Sequence, residues 1–180
     1  MKKLLSLLIT TLLISSCTSP TKLSAPGVVT SCDQIKLLES ADKSVLLPCL
    51  YGSAEINFHQ LKGPLLINVW GSWCEGCKQE MPYFVELYQS PLFKSGQIQM
   101  LGINVEEKSN DDAIDYIQKS GMSWPNLEDT SGISKSIFGP GVPVTWFIDE
   151  NGKNIETKIG AYTNKKQLFN QVEKAFGVKL

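Results

Sequence analysis

The chain contains no arginine, and all 17 of its basic residues are lysines. It therefore lacks the guanidinium group that recognises phosphate or guanine through two parallel hydrogen bonds. Its formal net charge is -1, and its lysines never form a cluster longer than two residues. These features exclude a basic surface of the kind that binds nucleic acid, so we expect no nucleic acid among the partners.

Histidine is almost absent, since His59 is the only one. A single histidine without neighbouring ligands is more often structural than catalytic, and we interpret His59 in that way. Three acids, Asp111, Asp112 and Asp115, fall at the start of a predicted helix, where negative charge offsets the helix dipole. We therefore expect no metal site and no cofactor.

Long apolar runs are also missing, apart from residues 4–14 near the N-terminus. Eleven residues are too few to cross a bilayer, which takes about 20. Lys2 and Lys3 precede this run, and the small residues Ser15 and Ser16 follow it. That order of segments is typical of a secretory signal peptide.

Residues 14–17, Ile-Ser-Ser-Cys, resemble the lipobox of bacterial lipoproteins, in which the cysteine is diacylated and becomes the first mature residue. Two acyl chains anchor a protein stably to a membrane. We expect a signal peptide over residues 1–16, a flexible tether over 17–31 and one folded domain over 32–180. The domain would then face the outside of the bacterial cell membrane, anchored by lipid on Cys17. An ordinary cleaved signal, or a short uncleaved anchor with Cys17 incidental, remains the alternative.

Cysteine is scarce, but Cys74 and Cys77 stand at an informative place. They follow an apolar run at residues 65–70 and precede a helical pattern that starts near Lys78, which places both sulfurs at a strand-to-helix junction. Unpaired amides and the positive end of the dipole at a helix N-terminus favour the thiolate of Cys74. Cys77 is close enough to form a small disulfide ring with it. The sequence predicts an attacking and a resolving sulfur.

If Cys17 is lipidated and Cys74 and Cys77 form a redox pair, Cys32 and Cys49 remain for a structural disulfide. Such bridges persist outside the cytoplasm. The competing interpretation is a four-cysteine zinc site. The 17-residue step between Cys32 and Cys49 is unlike the short-spaced pairs that zinc sites usually carry, which favours the disulfide.

The order of predicted elements indicates an α/β fold with a central sheet of mixed parallel and antiparallel pairs and helices on both faces. Strands are predicted at 65–70, 97–105, 142–149 and 154–159, with an Asn-Gly hairpin before the last, and a short strand or loop at 124–127. Four helices are predicted. The first runs from near Lys78 to Gln89 with a kink at Pro82, and the second follows a cap at Ser109 or Asn110. The third spans 133–138, and the fourth follows a cap at Asn164.

Several of these residues resemble the thioredoxin superfamily: Trp73-Cys74-Xaa-Xaa-Cys77, Pro82 in the following helix, and the strand-opening sequence Gly-Val-Pro-Val-Thr at 141–145. More closely, residues 68–80 and 146–149 resemble the membrane-anchored, extracytoplasmic thiol-disulfide oxidoreductases of the ResA/TlpA type. The resemblance covers about residues 46–176 and implies a thioredoxin-like fold. Thioredoxin itself carries a buried aspartate where this chain has Asn68, so that proton acceptor is missing.

The resemblance assigns a role to each site residue. Cys74 attacks a partner disulfide and Cys77 resolves the mixed disulfide, while Glu80 matches a glutamate that assists proton exchange in the ResA/TlpA branch. Pro143 is expected to be cis and to hold the Val142 backbone against the sulfurs, where a substrate peptide pairs with it. Trp73 is expected to line the site. The plainer alternatives are a solvated helix acid at Glu80 and a trans Pro143 that merely starts a strand.

Glu75 lies between the two cysteines, and its negative charge should oppose thiolate formation at Cys74. That effect would make the disulfide more reducing.

The expected function is reduction of protein disulfides outside the cytoplasm by a monomeric, membrane-tethered enzyme, with apocytochrome c as one client. A thiol donor or acceptor in the membrane would exchange electrons with it. The alternatives are a disulfide-forming oxidant and a non-enzymatic binding lipoprotein with an inert Cys74–Cys77 bridge. A peroxidase is a weaker alternative, since peroxidases of the peroxiredoxin type need no Cys-Xaa-Xaa-Cys motif.

Overall fold

A computed structural model describes residues 25–180, so the expected signal peptide and the expected lipidation site, Cys17, lie outside the described part. Its strands are β1 (Leu46–Pro48), β2 (Glu55–Asn57), β3 (Leu65–Trp70), β4 (Gln99–Val105), β5 (Asn126–Asp129), β6 (Val144–Ile148) and β7 (Asn154–Ile159). Its helices are α1 (Glu75–Tyr88), α2 (Pro91–Lys94), α3 (Asn110–Ser120), α4 (Ser134–Phe138) and α5 (Lys165–Phe176). Within residues 25–180, no helix combines the length and the apolar character that crossing a membrane requires.

The central sheet has five strands in the order β5-β4-β3-β6-β7. β3 pairs in parallel with β4, and β4 with β5, whereas β3–β6 and β6–β7 are antiparallel. The mixed sheet confirms the predicted fold class. β3 is buried along its whole length because it lies at the centre of the sheet with both faces covered.

The two faces of β3 point into two different apolar cores. Leu66 and Trp70 face α1, α3 and α5, which bury one apolar side each. Leu65, Ile67 and Val69 face the other core, which is closed by α4 and by the small antiparallel sheet of β1 and β2. Helices therefore lie on both faces, although on the second face the two short N-terminal strands provide much of the cover.

The N-terminal part of the described chain is packed onto the domain earlier than expected. Gly27 donates its N–H to the Gln118 carbonyl and Val28 donates to Met122. A Cβ on Gly27 would stand 2.0 Å from the Ile117 oxygen, so the backbones are close enough to require glycine. The packed region therefore begins before Cys32, inside the stretch expected to be a tether, because these backbone groups find partners on α3 and in the segment just after it.

The sulfurs of Cys32 and Cys49 are bonded to each other, with their Cα atoms 5.9 Å apart. Both side chains are buried, and the Cys49 backbone forms an isolated antiparallel β-bridge with Leu127 of β5. The bond closes a loop across a sequence separation of 17 residues. It ties the irregular segment before β1 to the edge of the central sheet.

Replacing Cys32 and Cys49 together by alanine should lower the free energy of unfolding of the oxidised protein by roughly 2–3 kcal/mol. The unfolded chain then gains the conformational freedom that a loop of this length removes. Urea denaturation of the double variant, compared with the wild type before and after reduction, measures the effect. An unchanged midpoint in the oxidised state would contradict it.

The starts of α1 and β4 differ from the sequence predictions. α1 begins at Glu75, three residues before Lys78, because the Cys74 sulfur accepts a hydrogen bond from the Cys77 N–H and acts as the N-cap. β4 begins at Gln99 and not at residue 97. Ser109 and Asn164 cap α3 and α5 as predicted, each accepting a hydrogen bond from a backbone N–H three residues ahead.

Candidate active site

The Cys74 and Cys77 sulfurs form a disulfide at the N-terminus of α1, with Cα atoms 5.3 Å apart. β3 delivers the chain to this point, and the loop of Gly71, Ser72 and Trp73 turns it into the helix. Cys77 is fully buried, whereas Cys74 keeps 5% of its surface exposed. An external sulfur therefore meets Cys74 first, which suits Cys74 as the attacking residue. The Cys77 N–H, 3.1 Å from the Cys74 sulfur, would favour its thiolate.

Pro143 lies against the same helix end, and its peptide bond with Val142 is cis. A Cβ built on Gly76 would be 3.2 Å from the Pro143 Cδ and 3.5 Å from the Ala161 Cβ. The absence of a side chain at Gly76 thus lets both the proline loop and the chain after β7 approach the residues between the cysteines. The site is assembled from α1, the start of β6 and the segment that follows β7.

Glu80 is completely buried one helical turn beyond Cys77, so it is not the solvated helix acid of the alternative interpretation. Its Oε1 accepts a hydrogen bond from Asn68 Nδ2 at 3.1 Å, and its Oε2 accepts one from the Tyr162 N–H at 2.9 Å. Burial raises the pKa of Glu80 to about 7, although the two hydrogen bonds and the positive charge of Lys158 act in the opposite direction. Glu80 can therefore gain and lose a proton near neutral pH.

Asn68, on β3, stands where thioredoxin has its buried aspartate, and it is itself fully buried. Its amide donates to Glu80, while its Oδ1 has no hydrogen-bond partner within residues 25–180. An asparagine cannot take up a proton, so Glu80 is the titratable group of this cluster.

Trp73 is about half exposed beside the disulfide, and its indole N–H donates to the Val105 carbonyl at 3.3 Å. It forms one wall of a shallow groove that continues past Val142. The floor of the groove is largely apolar and includes Val69, Val105 and Phe138. Val142, partly buried, thus lies between the sulfurs and a surface that could accept an apolar side chain.

Glu107 is a site residue that the sequence analysis missed. Its carboxylate accepts hydrogen bonds from the Ser72 N–H at 2.5 Å, the Ser72 hydroxyl at 2.7 Å and the Asn104 amide at 2.8 Å. Ser72 is two residues before Cys74, so Glu107 fixes the loop that carries the attacking sulfur. Its position just after β4 could have indicated this contact with the loop after β3, because the carboxyl ends of neighbouring parallel strands meet at one edge of a sheet.

Replacing Glu107 by alanine should lower the free energy of unfolding by about 1–3 kcal/mol, because it leaves the buried Asn104 amide and the Ser72 N–H without an acceptor. Glu107→Gln keeps one acceptor oxygen and should lose less. Urea denaturation followed by Trp fluorescence measures the stability of both Glu107 variants. Glu128→Gln, on neighbouring β5, is the control, because it also removes one carboxylate. Equal stability of the alanine variant and the wild type would refute the assigned contacts.

His59 lies in a short 3₁₀ turn after β2, where its ring packs edge-on against Phe58 with ring centroids 5.6 Å apart. The acids Asp111 and Asp112 are exposed in the first turn of α3. Across residues 25–180 there is no group of three or more His, Cys, Asp or Glu side chains arranged to hold a metal ion.

A sulfur pair at a helix N-terminus, next to a cis proline in a thioredoxin-like fold, defines a thiol-disulfide oxidoreductase. The sequence matches the AhpC/TSA family over residues 43–156 and belongs to that family.

Its relatives make the class more specific. The chain is 32% identical over 123 residues to the thiol-disulfide oxidoreductase ResA of Bacillus thuringiensis (strain Al Hakam), covering 67% of this chain and 68% of that protein. Against the ResA of Bacillus subtilis (strain 168) the identity is 31% over 110 residues, or 60% of each chain. The enzyme is thus of the ResA type.

The fold has close counterparts among solved structures. A secreted Mycobacterium tuberculosis disulfide oxidoreductase, described as homologous to E. coli DsbE, superposes with a TM-score of 0.62 at 18% identity. The superposition covers 73% of this chain and 96% of that one. It supports the thioredoxin-like fold.

Proposed function

We propose that this oxidoreductase reduces disulfides of proteins outside the cytoplasm while a lipid on Cys17 tethers it to the membrane. The observation that carries the proposal is the pairing of a nearly buried Cys74–Cys77 couple with a buried carboxyl group, Glu80, one turn away on α1. All the groups that the exchange needs come from one chain. A monomer is therefore sufficient.

The exchange proceeds in two steps. The Cys74 thiolate attacks one sulfur of the client disulfide, forming a mixed disulfide and releasing the other client sulfur as a thiolate that takes up a proton. Cys77 then loses its proton to Glu80 and attacks the Cys74 sulfur, which re-forms the disulfide. The second client sulfur leaves as a thiolate and takes up a proton, and Glu80 gives the proton of Cys77 to solvent. The client gains two electrons and two protons, and the enzyme is left oxidised. An external thiol donor in the membrane must reduce it again.

Carboxylates around the couple support the reducing direction. Glu75 is exposed between the two cysteines, and Glu80 lies beneath them. Negative charge near a thiolate disfavours it and so destabilises the dithiol form relative to the disulfide. A couple with a less stable reduced form donates electrons more readily.

The direct test is reduction of insulin by the chemically reduced protein, monitored by precipitation of the insulin chains. The proposal predicts turnover when a small dithiol regenerates the enzyme. Failure to reduce insulin, together with efficient oxidation of a reduced client by the disulfide form, would replace the reductase by an oxidant. Apocytochrome c, the client that the resemblance to the ResA branch suggests, is the natural next substrate to assay.

Two observations support a location outside the cytoplasm. The buried Cys32–Cys49 disulfide is of a kind that persists in oxidising compartments. The M. tuberculosis structure with the same fold is named as secreted. The lipobox-like residues before Cys17 supply the means of attachment.

Lipid attachment at Cys17 should make the full-length protein incorporate labelled palmitate in a bacterial host and partition with the membrane. Cys17→Ser should abolish the labelling and move the protein to the soluble fraction, because it removes the acceptor sulfur. Label that persists in Cys17→Ser, or that never reaches the wild type, would contradict lipidation.

A further inference from the structure

Lys158, at the C-terminal end of β7, directs its ammonium group back onto the chain that follows it. Nζ lies 2.8 Å from the Ile159 carbonyl oxygen, 2.7 Å from that of Gly160 and 3.4 Å from that of Ala161. An ammonium group has three hydrogens to donate, so one cation can satisfy all three carbonyls. Residues 159–162 are here called the β7–α5 turn.

The β7–α5 turn contacts the disulfide site at three places. The Gly160 N–H donates to the Pro143 carbonyl at 2.9 Å, which ties the turn to the cis-proline loop. The Tyr162 N–H donates to Glu80 at 2.9 Å. Between them, the Ala161 Cβ lies close to Gly76, where an added Cβ would stand 3.5 Å from it. The shape of the turn therefore sets three positions: that of the Tyr162 N–H that donates to Glu80, that of the cis-proline loop, and that of Ala161 against Gly76 between the cysteines.

The shape of the turn is one that a positive charge stabilises. Gly160 has a φ of +80°, a conformation that glycine adopts at a cost in conformational entropy. Three successive carbonyl dipoles directed towards one point repel each other unless a positive charge lies there. The Lys158 ammonium group meets that requirement.

We propose that Lys158 is a positioning residue of the disulfide site: its ammonium group holds the β7–α5 turn so that Tyr162 donates to Glu80 and Ala161 lies against Gly76. This inference rests on the proposed function only in so far as Glu80 exchanges protons with the cysteines. The hydrogen bonds of Lys158 go to the turn and not to the sulfurs, so Lys158 acts through the turn and through its charge.

The groups that face Glu80 are few and come from each element packed around it. They are Asn68 on β3, Tyr116 on α3, Tyr162 in the turn and Lys158 on β7. The pKa of Tyr116 is raised to about 12 by burial and by the nearby Glu80 charge, and that of Tyr162 is raised by the same causes. Both tyrosines are therefore neutral near pH 7, and the charge of Lys158 favours ionised Glu80.

The test is a ¹³C NMR titration of the Glu80 carboxyl group in the oxidised protein, which needs no client. Lys158→Met keeps the aliphatic stem but loses the charge and the three hydrogen bonds. In this variant we expect the midpoint of the Glu80 titration to move to higher pH. The protonation constant of Glu80 should rise roughly two- to fivefold, the range for partly exposed charge pairs. Insulin reduction on the acidic limb of the pH profile should slow by a similar factor.

Three further variants make the result specific. Lys158→Arg retains a cation with several donors and should recover most of the wild-type midpoint. Lys158→Gln, which keeps a donor without the charge, should titrate near Lys158→Met and serves if the methionine variant folds poorly. Lys153→Met, at the far end of the same hairpin, changes the net charge equally and should titrate as the wild type.

A Glu80 midpoint in Lys158→Met and Lys158→Gln that coincides with the wild type would overturn the inference. An equal shift in Lys153→Met would overturn it too, because the effect would then come from net charge alone. If the wild type fails to reduce any protein disulfide, the proposed function fails instead, and the carboxyl titration still decides the role of Lys158.

Discussion

Replacing Cys74 by serine should lower the rate of insulin reduction by roughly a thousandfold or more, which corresponds to about 4 kcal/mol of lost transition-state stabilisation. A hydroxyl group is not ionised near neutral pH and cannot form a disulfide with the client. Cys77 cannot take over, because it is fully buried beneath Cys74. Stability should change little by comparison, so the loss is one of chemistry and not of folding.

Cys77→Ser is the matched control for that loss. It retains the attacking sulfur but lacks the resolving one, so the reaction should stop at the mixed disulfide and accumulate a covalent adduct with the client. Mass spectrometry of the trapped adduct should locate the bond at Cys74. Residual turnover in Cys74→Ser comparable to the wild type, or adducts at Cys32 or Cys49, would contradict the assignment of the couple.

The oxidised protein should lose stability as the pH rises from about 4.5 to about 7, by about 3 kcal/mol from Glu80 alone. Burial raises the pKa of Glu80 from 4.5 to about 7 in the folded state. Between these values the folded state retains a proton that the unfolded state has released. The unfolded state therefore binds fewer protons, and the free energy of unfolding falls with pH. The contribution is fully present below pH 4.5 and is lost by the time the pH exceeds 7.

Glu80→Gln removes the titration while keeping a similar shape, so its difference from the wild type isolates the contribution of Glu80. Urea denaturation of both proteins at pH 4.5, 6 and 7.5 measures it. Glu150→Gln, at an exposed position in the turn between β6 and β7, is the control for the loss of one carboxylate and should keep the wild-type dependence on pH. A difference between wild type and Glu80→Gln that is constant across this range would show that Glu80 does not titrate there.

The central chemistry of the site could be predicted from the sequence because it depends on local spacing. Cys74 and Cys77 follow a continuous apolar strand and open a helix, which by itself places two sulfurs at the reactive end of α1. The strand at 65–70 was predicted at its observed bounds because it is buried on both faces and its apolar run is unbroken. The start of α1 was misplaced because a cysteine is not an expected N-cap.

The parts that escaped prediction depend on contacts between residues far apart in the chain. Glu80 receives its second hydrogen bond from Tyr162, 82 residues away in the chain. Glu107 approaches Ser72 across a separation of 35 residues because two parallel strands end side by side. The cover of the second sheet face by β1 and β2 was also missed, since two three-residue strands give almost no periodic signal.

The reduction potential of the Cys74–Cys77 couple tests the central claim most directly. Equilibration with glutathione or with a dithiol of known potential, followed by quantification of the free thiols, measures it. The buried carboxyl group and the acid between the cysteines predict a reducing value near that of thioredoxin, about −270 mV. A value near −120 mV, typical of a strong oxidant, would contradict the proposed direction of electron flow.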